Sequence, residues 1–138
     1  CGSAAKDQDV QSRRLLLIDI DRSGDTKQPA TEGEVEHAKS LAQEVSTYLG
    51  TLGWPDPTRM MSGNGVHLYY RLADLENNTS SKALIKRTLI NLAGRFNTLE
   101  SNIDTTVFNA SRITKVPGTV SRKGVNSDDR PYRVAEVF

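Results

Sequence analysis

The sequence predicts an α/β (α+β) domain whose elements follow the order βαββαβ, with a β extension at the C-terminal end. Three observations carry this. An apolar run at 15–21 reads as a buried strand, stretches at 31–51 and 80–97 repeat apolar residues at helical intervals, and short alternating segments lie between and after them. At 138 residues and 36% hydrophobic, the chain falls in the usual range for one globular core.

The first strand is Leu15-Leu16-Leu17-Ile18-Asp19-Ile20-Asp21, after a polar leader over 1–14, so the expected domain runs over 15–138. Thr31 and Glu34 have the spacing of a capping box. Val35, Ala38, Leu41, Ala42, Val45, Tyr48, Leu49 and Leu52 then recur on one helical face until Gly53. Residues 57–61 and 66–72 read as two strands around Ser62-Gly63-Asn64-Gly65, where Asn-Gly favours a tight hairpin because both residues tolerate positive φ. The second helix, about 80–97, carries Leu84, Ile85, Thr88, Leu89, Leu92, Ala93 and Phe96 on one face. Ile103 to Phe108 alternates as a fourth strand opened by Asp104, Pro117-Gly118 breaks the chain, and Tyr132 to Phe138 reads as a final edge strand.

This order is the split βαβ, or ferredoxin-like, arrangement shared with RNA-recognition modules: a largely antiparallel sheet with two helices on one face. Short connections and right-handed crossovers leave few other closures. The first strand then lies between the third and fourth, and its end meets their beginnings. Asp19 and Asp21, two residues apart on one sheet face, therefore converge with His67 and Asp104 at one edge.

Composition narrows the chemistry. No apolar run approaches the roughly 18 residues of a membrane span, and no segment has the order of a signal peptide, so a soluble, intracellular (cytoplasmic) protein without a membrane partner is expected. The single Cys1 cannot form an internal disulfide, and with only His37 and His67 beside it there is no ligand set for structural zinc. Any metal must sit on carboxylates, which favours Mg²⁺ or Mn²⁺. The opening Cys1-Gly2-Ser3-Ala4-Ala5 predicts an excised fragment with added leader residues and flanking domains in its parent protein. The net charge of +1 hides a basic C-terminal quarter holding Arg112, Lys115, Arg122, Lys123, Arg130 and Arg133, which suits phosphate contacts or, equally, a solvated loop.

Two carboxylates at i and i+2 on an otherwise apolar strand repel each other unless a cation lies between them. Two-metal phosphoryl transfer needs such a set, with at least one carboxylate bridging ions roughly 3.5 to 4 Å apart, and Asp19, Asp21 and Asp104 could supply it. The rival reading is that strand-end aspartates are solvated or paired with arginine. Ser62, Gly63 and Gly65 lead a glycine-rich turn into His67, and amides, a hydroxyl and an imidazole together suit phosphate oxygens. An ordinary hairpin with a satisfied strand histidine is the alternative there. His37, among charged residues on the first helix, reads as surface.

These residues together resemble the archaeo-eukaryotic primase superfamily, the primase-polymerases of plasmids, phages, archaea and eukaryotes, over most of the chain. Leu17-Ile18-Asp19-Ile20-Asp21 resembles its hydrophobic-Asp-hydrophobic-Asp/Glu motif, Ser62-Gly63-Asn64-Gly65-Val66-His67 its SGxGxH form, and Asp104 is placed like its third acid. Arg112-Ile113-Thr114-Lys115-Val116-Pro117-Gly118-Thr119, with Lys123 beyond, is similar to the Arg-x-x-Arg-x-Pro-Gly-Thr stretch of mobile-element members; Lys115 stands where many carry arginine, and Ser121 where asparagine is common. The resemblance implies a palm domain of a template-directed DNA primase or DNA polymerase. It implies two Mg²⁺ or Mn²⁺ ions on Asp19, Asp21 and Asp104, the triphosphate of an NTP or dNTP on Ser62, Gly63, Gly65 and His67, and phosphate or DNA contacts from Arg112, Lys115, Arg122 and Lys123. It also implies a single-stranded DNA template and primer as partners, with a helicase or other replication domain in the parent protein. Members usually carry a further amino-terminal α/β module, where this chain has its short polar leader.

Three rival readings compete with this one. An RNA-recognition module would stack bases on a R/K-G-F/Y-G/A-F-V-x-F/Y strand, a pattern absent from Val66-His67-Leu68-Tyr69-Tyr70-Arg71-Leu72. A non-catalytic primase-like module of a replication protein would not require all three acids. A rolling-circle relaxase would need paired histidines, and the two here are distant.

Overall fold

The computed structural model describes residues 4–138; Cys1, expected to stay unpaired, and the adjoining Gly2 and Ser3 lie outside the described residues. A 3-10 turn (Asp7–Asp9) leads into β1 (Ser12–Arg22), α1 (Glu32–Thr51), β2 (Thr58–Met61), β3 (Val66–Glu76), α2 (Thr79–Phe96) and β4 (Ser101–Ile103). Three two-residue strands follow: β5 (Val120–Ser121), β6 (Arg133–Val134) and β7 (Glu136–Val137). The main sheet has the order β4-β1-β3-β2-β7, while β5 and β6 form a separate pair. The architecture is α+β of the ferredoxin-like kind, and β1 lies between β4 and β3, antiparallel to both.

The alternation in β1 decides which residues the helices cover. Leu16, Ile18 and Ile20 pair with Tyr70, Leu68 and Val66 of β3 and are fully or nearly fully buried. They pack against Ala38, Leu41, Val45 and Leu49 of α1 and Ile85, Leu89 and Leu92 of α2. Each fully buried aliphatic side chain contributes about 1.5–3 kcal/mol of transfer free energy, so this face anchors the register. The intervening Leu17, Asp19 and Asp21 therefore face away from the helices.

Both helices begin on local signals. Glu34 N–H donates to Thr31 Oγ1 at 3.2 Å and Thr31 N–H to Glu34 Oε2 at 2.8 Å, the expected capping box. Asn78 caps α2 by accepting from Ser81 N–H at 2.9 Å. None of the described helices is long and apolar enough to cross a membrane.

Several boundaries depart from the sequence expectation. β1 begins at Ser12 rather than 15, and the preceding turn is tied in by Asn77, whose Nδ2 donates to Asp7 O and Val10 O at 2.7 Å each. The fourth strand does not run from Ile103 to Phe108: β4 ends at Ile103, so Asp104 follows the strand instead of opening it. Its Oδ1 accepts from Thr106 N–H and Thr106 Oγ1, both at 2.7 Å, a local turn that replaces the ladder. The single edge strand over 132–138 is split between two sheets. Ala135, 1% exposed, donates to Thr119 O at 2.9 Å, which turns the chain between β6 and β7. In the hairpin turn only Gly63 takes positive φ (103°), and Asn64 does not.

Candidate active site

The end of β1 brings most of the expected residues together. Asp19 pairs with His67 across the β1–β3 ladder, and Asp104 N–H donates to Asp19 O at 2.8 Å, so Asp19 has the histidine on one side and the third acid on the other. Asp21 lies one alternation further, opposite Asn102. His67 Nε2 sits 3.3 Å from Asp19 Oδ1, out of hydrogen-bonding alignment, and that buried oxygen has no hydrogen-bond partner. His67 Nδ1 lies 3.0 Å from the Tyr69 hydroxyl. With its hydrogen on Nε2, the ring leaves Nδ1 to accept from the Tyr69 hydroxyl.

Burial pushes the Asp21 carboxyl above the usual carboxylate range, and the charge of Asp19 pushes it further, against the pull of Lys123, His67 and Arg22. An acid that resists ionisation beside a second acid whose oxygen lacks a donor is a site short of positive charge. Hard oxygen donors in this state fit a divalent cation of the Mg²⁺ or Mn²⁺ class. Asp104 is nearby in backbone terms, but its Oδ1 is held by Thr106, and among the described residues no three His, Cys, Asp or Glu side chains are gathered as a formed ion site. Asp19 and Asp21 are the pair left short of positive charge, with Asp104 beside them and its Oδ1 engaged by Thr106.

The glycine turn behaves differently from the expected amide cradle. Gly65 N–H donates to Ser62 Oγ at 3.2 Å, Ser62 Oγ donates to Gly65 O at 3.2 Å, and Gly63 N–H points at Met61 Sδ at 2.9 Å, so hydroxyl and amides close the turn on itself. The glycines serve close approach. A Cβ on Gly65 would run into the Ile20 carbonyl and stand 2.6 Å from Asp21 Oδ1, and one on Gly63 would meet Ser121 Cβ at 2.5 Å.

Of the basic residues, Arg112 donates to Thr106 O at 3.0 Å and Lys115 to Val120 O at 2.9 Å, which spends part of each on shaping the C-terminal segment. Arg122 and Lys123 form none of the described ion pairs, and Lys123 is close enough to lower the Asp21 pKa. Arg130 and Arg133 are instead committed to Glu34 and Glu32. His37 lines a small cleft with Glu44 and Glu100.

Sequence reasoning missed what three side chains contribute. Tyr69 shares the His67 face, a relation that period-two alternation already contains. Asn64 pins the turn in place, accepting from Ala30 N–H at 2.8 Å and donating to Ser121 Oγ at 2.9 Å. Arg22, 3% exposed, donates to Asp25 O and Gln28 O and so holds the loop after β1 beside the acids. Comparison with family models, curated proteins and solved structures finds no match to this chain.

Proposed function

We propose that this chain is the palm of a metal-dependent nucleotidyltransferase of the primase-polymerase kind, which adds nucleotides from an NTP or dNTP to a strand paired with a single-stranded DNA template. The observation that carries the reading is the electrostatic deficit at the end of β1: two same-face carboxylates, one with a donorless buried oxygen, the other held above its normal pKa. Asp19 and Asp21, with Asp104 reoriented, would hold a pair of Mg²⁺ or Mn²⁺ ions, which when bound polarise the phosphate and make the attacking hydroxyl more acidic. His67 Nε2, which forms no hydrogen bond with Asp19, would donate to a phosphate oxygen. Lys123, whose charge is felt at Asp21, would help neutralise phosphate charge during transfer. In a parent protein, a helicase or other replication domain would supply the opened strand.

The test is incorporation of labelled triphosphates on a primed single-stranded template with manganese. Asp19→Asn is expected to reduce incorporation about a thousandfold or more, since metal stabilisation is worth several kcal/mol. A variant within tenfold of the parent would overturn the reading. Thr106 holding Asp104 favours a second reading, a primase-like module that binds nucleic acid without chemistry. In that case the parent incorporates nothing, and Asp19→Asn strengthens single-strand binding by removing a repelling charge.

A further inference from the structure

β4 pairs with β1 only over Ile20–Arg22, and past Ile103 the chain turns away on the contact between Asp104 and Thr106 instead of continuing the ladder. β1 itself reaches back to Ser12, so its flank opposite β3 has no strand beside it at Leu15 and Leu17. Asp104 N–H donates to Asp19 O, which fixes the alternation: the main-chain groups of Asp19, Leu17 and Leu15 face the open flank, and those of Ile18 and Leu16 face β3. No described residue bonds to the N–H or C=O of Leu15 or Leu17. A cavity of about 320 Å³ lies along this flank, with Leu17 and Tyr69 on one face of the sheet and Leu16 and Ile85 on the other. We propose that the flank docks an extended acidic peptide segment of a partner protein, which adds to the sheet beside β1 in the place that β4 leaves.

The unmet groups around the cavity select that occupant. Leu15 and Leu17 present donors and acceptors in equal number at the spacing of an antiparallel ladder, and a peptide backbone answers both. A nucleic-acid backbone brings phosphate acceptors to such an edge and leaves its carbonyls unpaired. Arg13, 7% exposed, also lines the cavity and forms none of the described ion pairs. Its Nε donates to Asn77 Oδ1 at 3.1 Å and its Nη1 to Phe108 O at 2.7 Å, while its Nη2 takes part in no described hydrogen bond. Burial lowers the Arg13 pKa and only Asp7 acts against this, so the guanidinium is short of the negative charge that a carboxylate on the peptide supplies. Asn109, on the same lining, has its Oδ1 buried without a partner, an acceptor left for a donor from the peptide. Apolar lining on both faces of the sheet suits the alternating side chains of an added strand. The far wall is already fastened, because Ser111 donates to Asp7 Oδ1 through its N–H at 3.0 Å and its hydroxyl at 2.7 Å, so the peptide meets a formed groove and no loop has to be ordered around it.

The experiment is selection of random heptapeptides displayed on phage against the full chain, followed by anisotropy of the enriched sequences as labelled synthetic peptides. Enriched peptides are expected to share an aspartate or glutamate among alternating apolar side chains. Replacing that acid with its amide is expected to weaken binding about tenfold, the scale of a hydrogen bond to a charged group. Methylating the peptide's backbone nitrogens one at a time is expected to weaken binding at every second position only, because an added strand bonds to β1 through alternate residues. Arg13→Gln is expected to abolish the advantage of acid over amide and to leave the alternation of the methylation series in place. Should Arg13→Gln fail to fold, the amide and methylated peptides decide the matter on the parent alone. A selection that enriches nothing, enriched peptides without a shared acid, or a methylation series without alternation overturns the proposal. So does displacement of the peptide by single-stranded oligothymidylate, which would assign the flank to nucleic acid. A parent dimer that Leu15→Pro dissociates, by removing an outward N–H that no ladder uses, would assign the flank to a second copy of the chain and overturn it as well.

Discussion

Two groups of charges lie a short loop apart and are treated in opposite ways. At the start of α1, Glu34 receives Arg130 at 2.9 and 3.2 Å and Thr31 N–H at 2.8 Å, with Arg22 at 3.6 Å, and Glu32 receives Arg133 at 3.0 Å. At the end of β1, Asp19 Oδ1 is buried without a donor and Asp21 faces Asp19. Burial raises the Glu34 pKa, yet hydrogen bonds from Arg130 and Thr31 and the arginine charges bring it below the usual value; Asp21 is raised outright. Partnered charges fasten the C-terminal segment to the helix. Unpartnered ones are kept at a cost to folding, which is the pattern expected of a site that awaits a cation.

The strongest way to break the contrast is to crowd the unpartnered side. Gly65→Ala drives a methyl into the Ile20 carbonyl and Asp21, contacts that backbone cannot yield cheaply. A loss of about 2–3 kcal/mol is expected in denaturant unfolding, at the upper end of overpacking. A variant as stable as the parent would mean that the turn can lift away from Asp21.

Next is Glu34→Gln, which removes the charge that Arg130 and Arg22 share while leaving an amide oxygen that can still close the capping box. The expected cost is about 1–2 kcal/mol, the scale of a charge-assisted hydrogen bond reduced to a neutral one, with the C-terminal segment released to proteolysis before the sheet. Cleavage of parent and variant at equal rates would detach the clamp from that role.

The same division separates the arginines and lysines. Arg122 and Lys123, outside the described ion pairs, should contact phosphates, whereas Arg130 and Arg133 are spent on carboxylates. In single-strand binding followed by anisotropy, replacing Arg122 and Lys123 with serine should lower the salt slope by about 0.7 for each phosphate that is no longer neutralised. Replacing Arg130 and Arg133 should change it little. Equal slopes for parent and the Arg122/Lys123 variant would return that segment to a solvated loop.

How far each region was legible follows from the range of its contacts. The acidic edge was placed by period-two alternation and by topology, so Asp19, Asp21, His67 and Asp104 could be gathered from sequence. The capping box of Thr31 and Glu34 was equally local. The clamp was not, because Glu34 and Arg130 are 96 residues apart and nothing periodic links them. The two-residue strands β5, β6 and β7 are too short to carry alternation, and Ala135 splits an apparently continuous run. Asp104 was expected to open a strand and instead follows the end of one, because an Asx turn and a strand opening look alike in sequence; Thr106 makes the difference.

The smallest effect is also the one that tests the contrast most directly, because the two acids must give pH dependences of opposite sign. Asp21 holds its proton more tightly folded than unfolded, so its ionisation opposes folding, and metal-free stability falls as the pH climbs above the ordinary 3.8. Glu34 holds its proton less tightly when folded. Its contribution is present above the ordinary 4.5 and is lost as the pH falls through its lowered folded value. With chelator present, Asp21→Asn should therefore melt a few degrees above the parent at neutral pH, a gap that closes toward about pH 4. Glu34→Gln should melt below the parent at neutral pH, and its gap should close only in more acid solution. Manganese should reverse the first gap and leave the second unchanged, since only the Asp21 edge gains a cation. Melting curves for the two variants from roughly pH 3 to neutral decide this, and a manganese effect of equal size on both would mean that the ion does not discriminate between the two sets of acids.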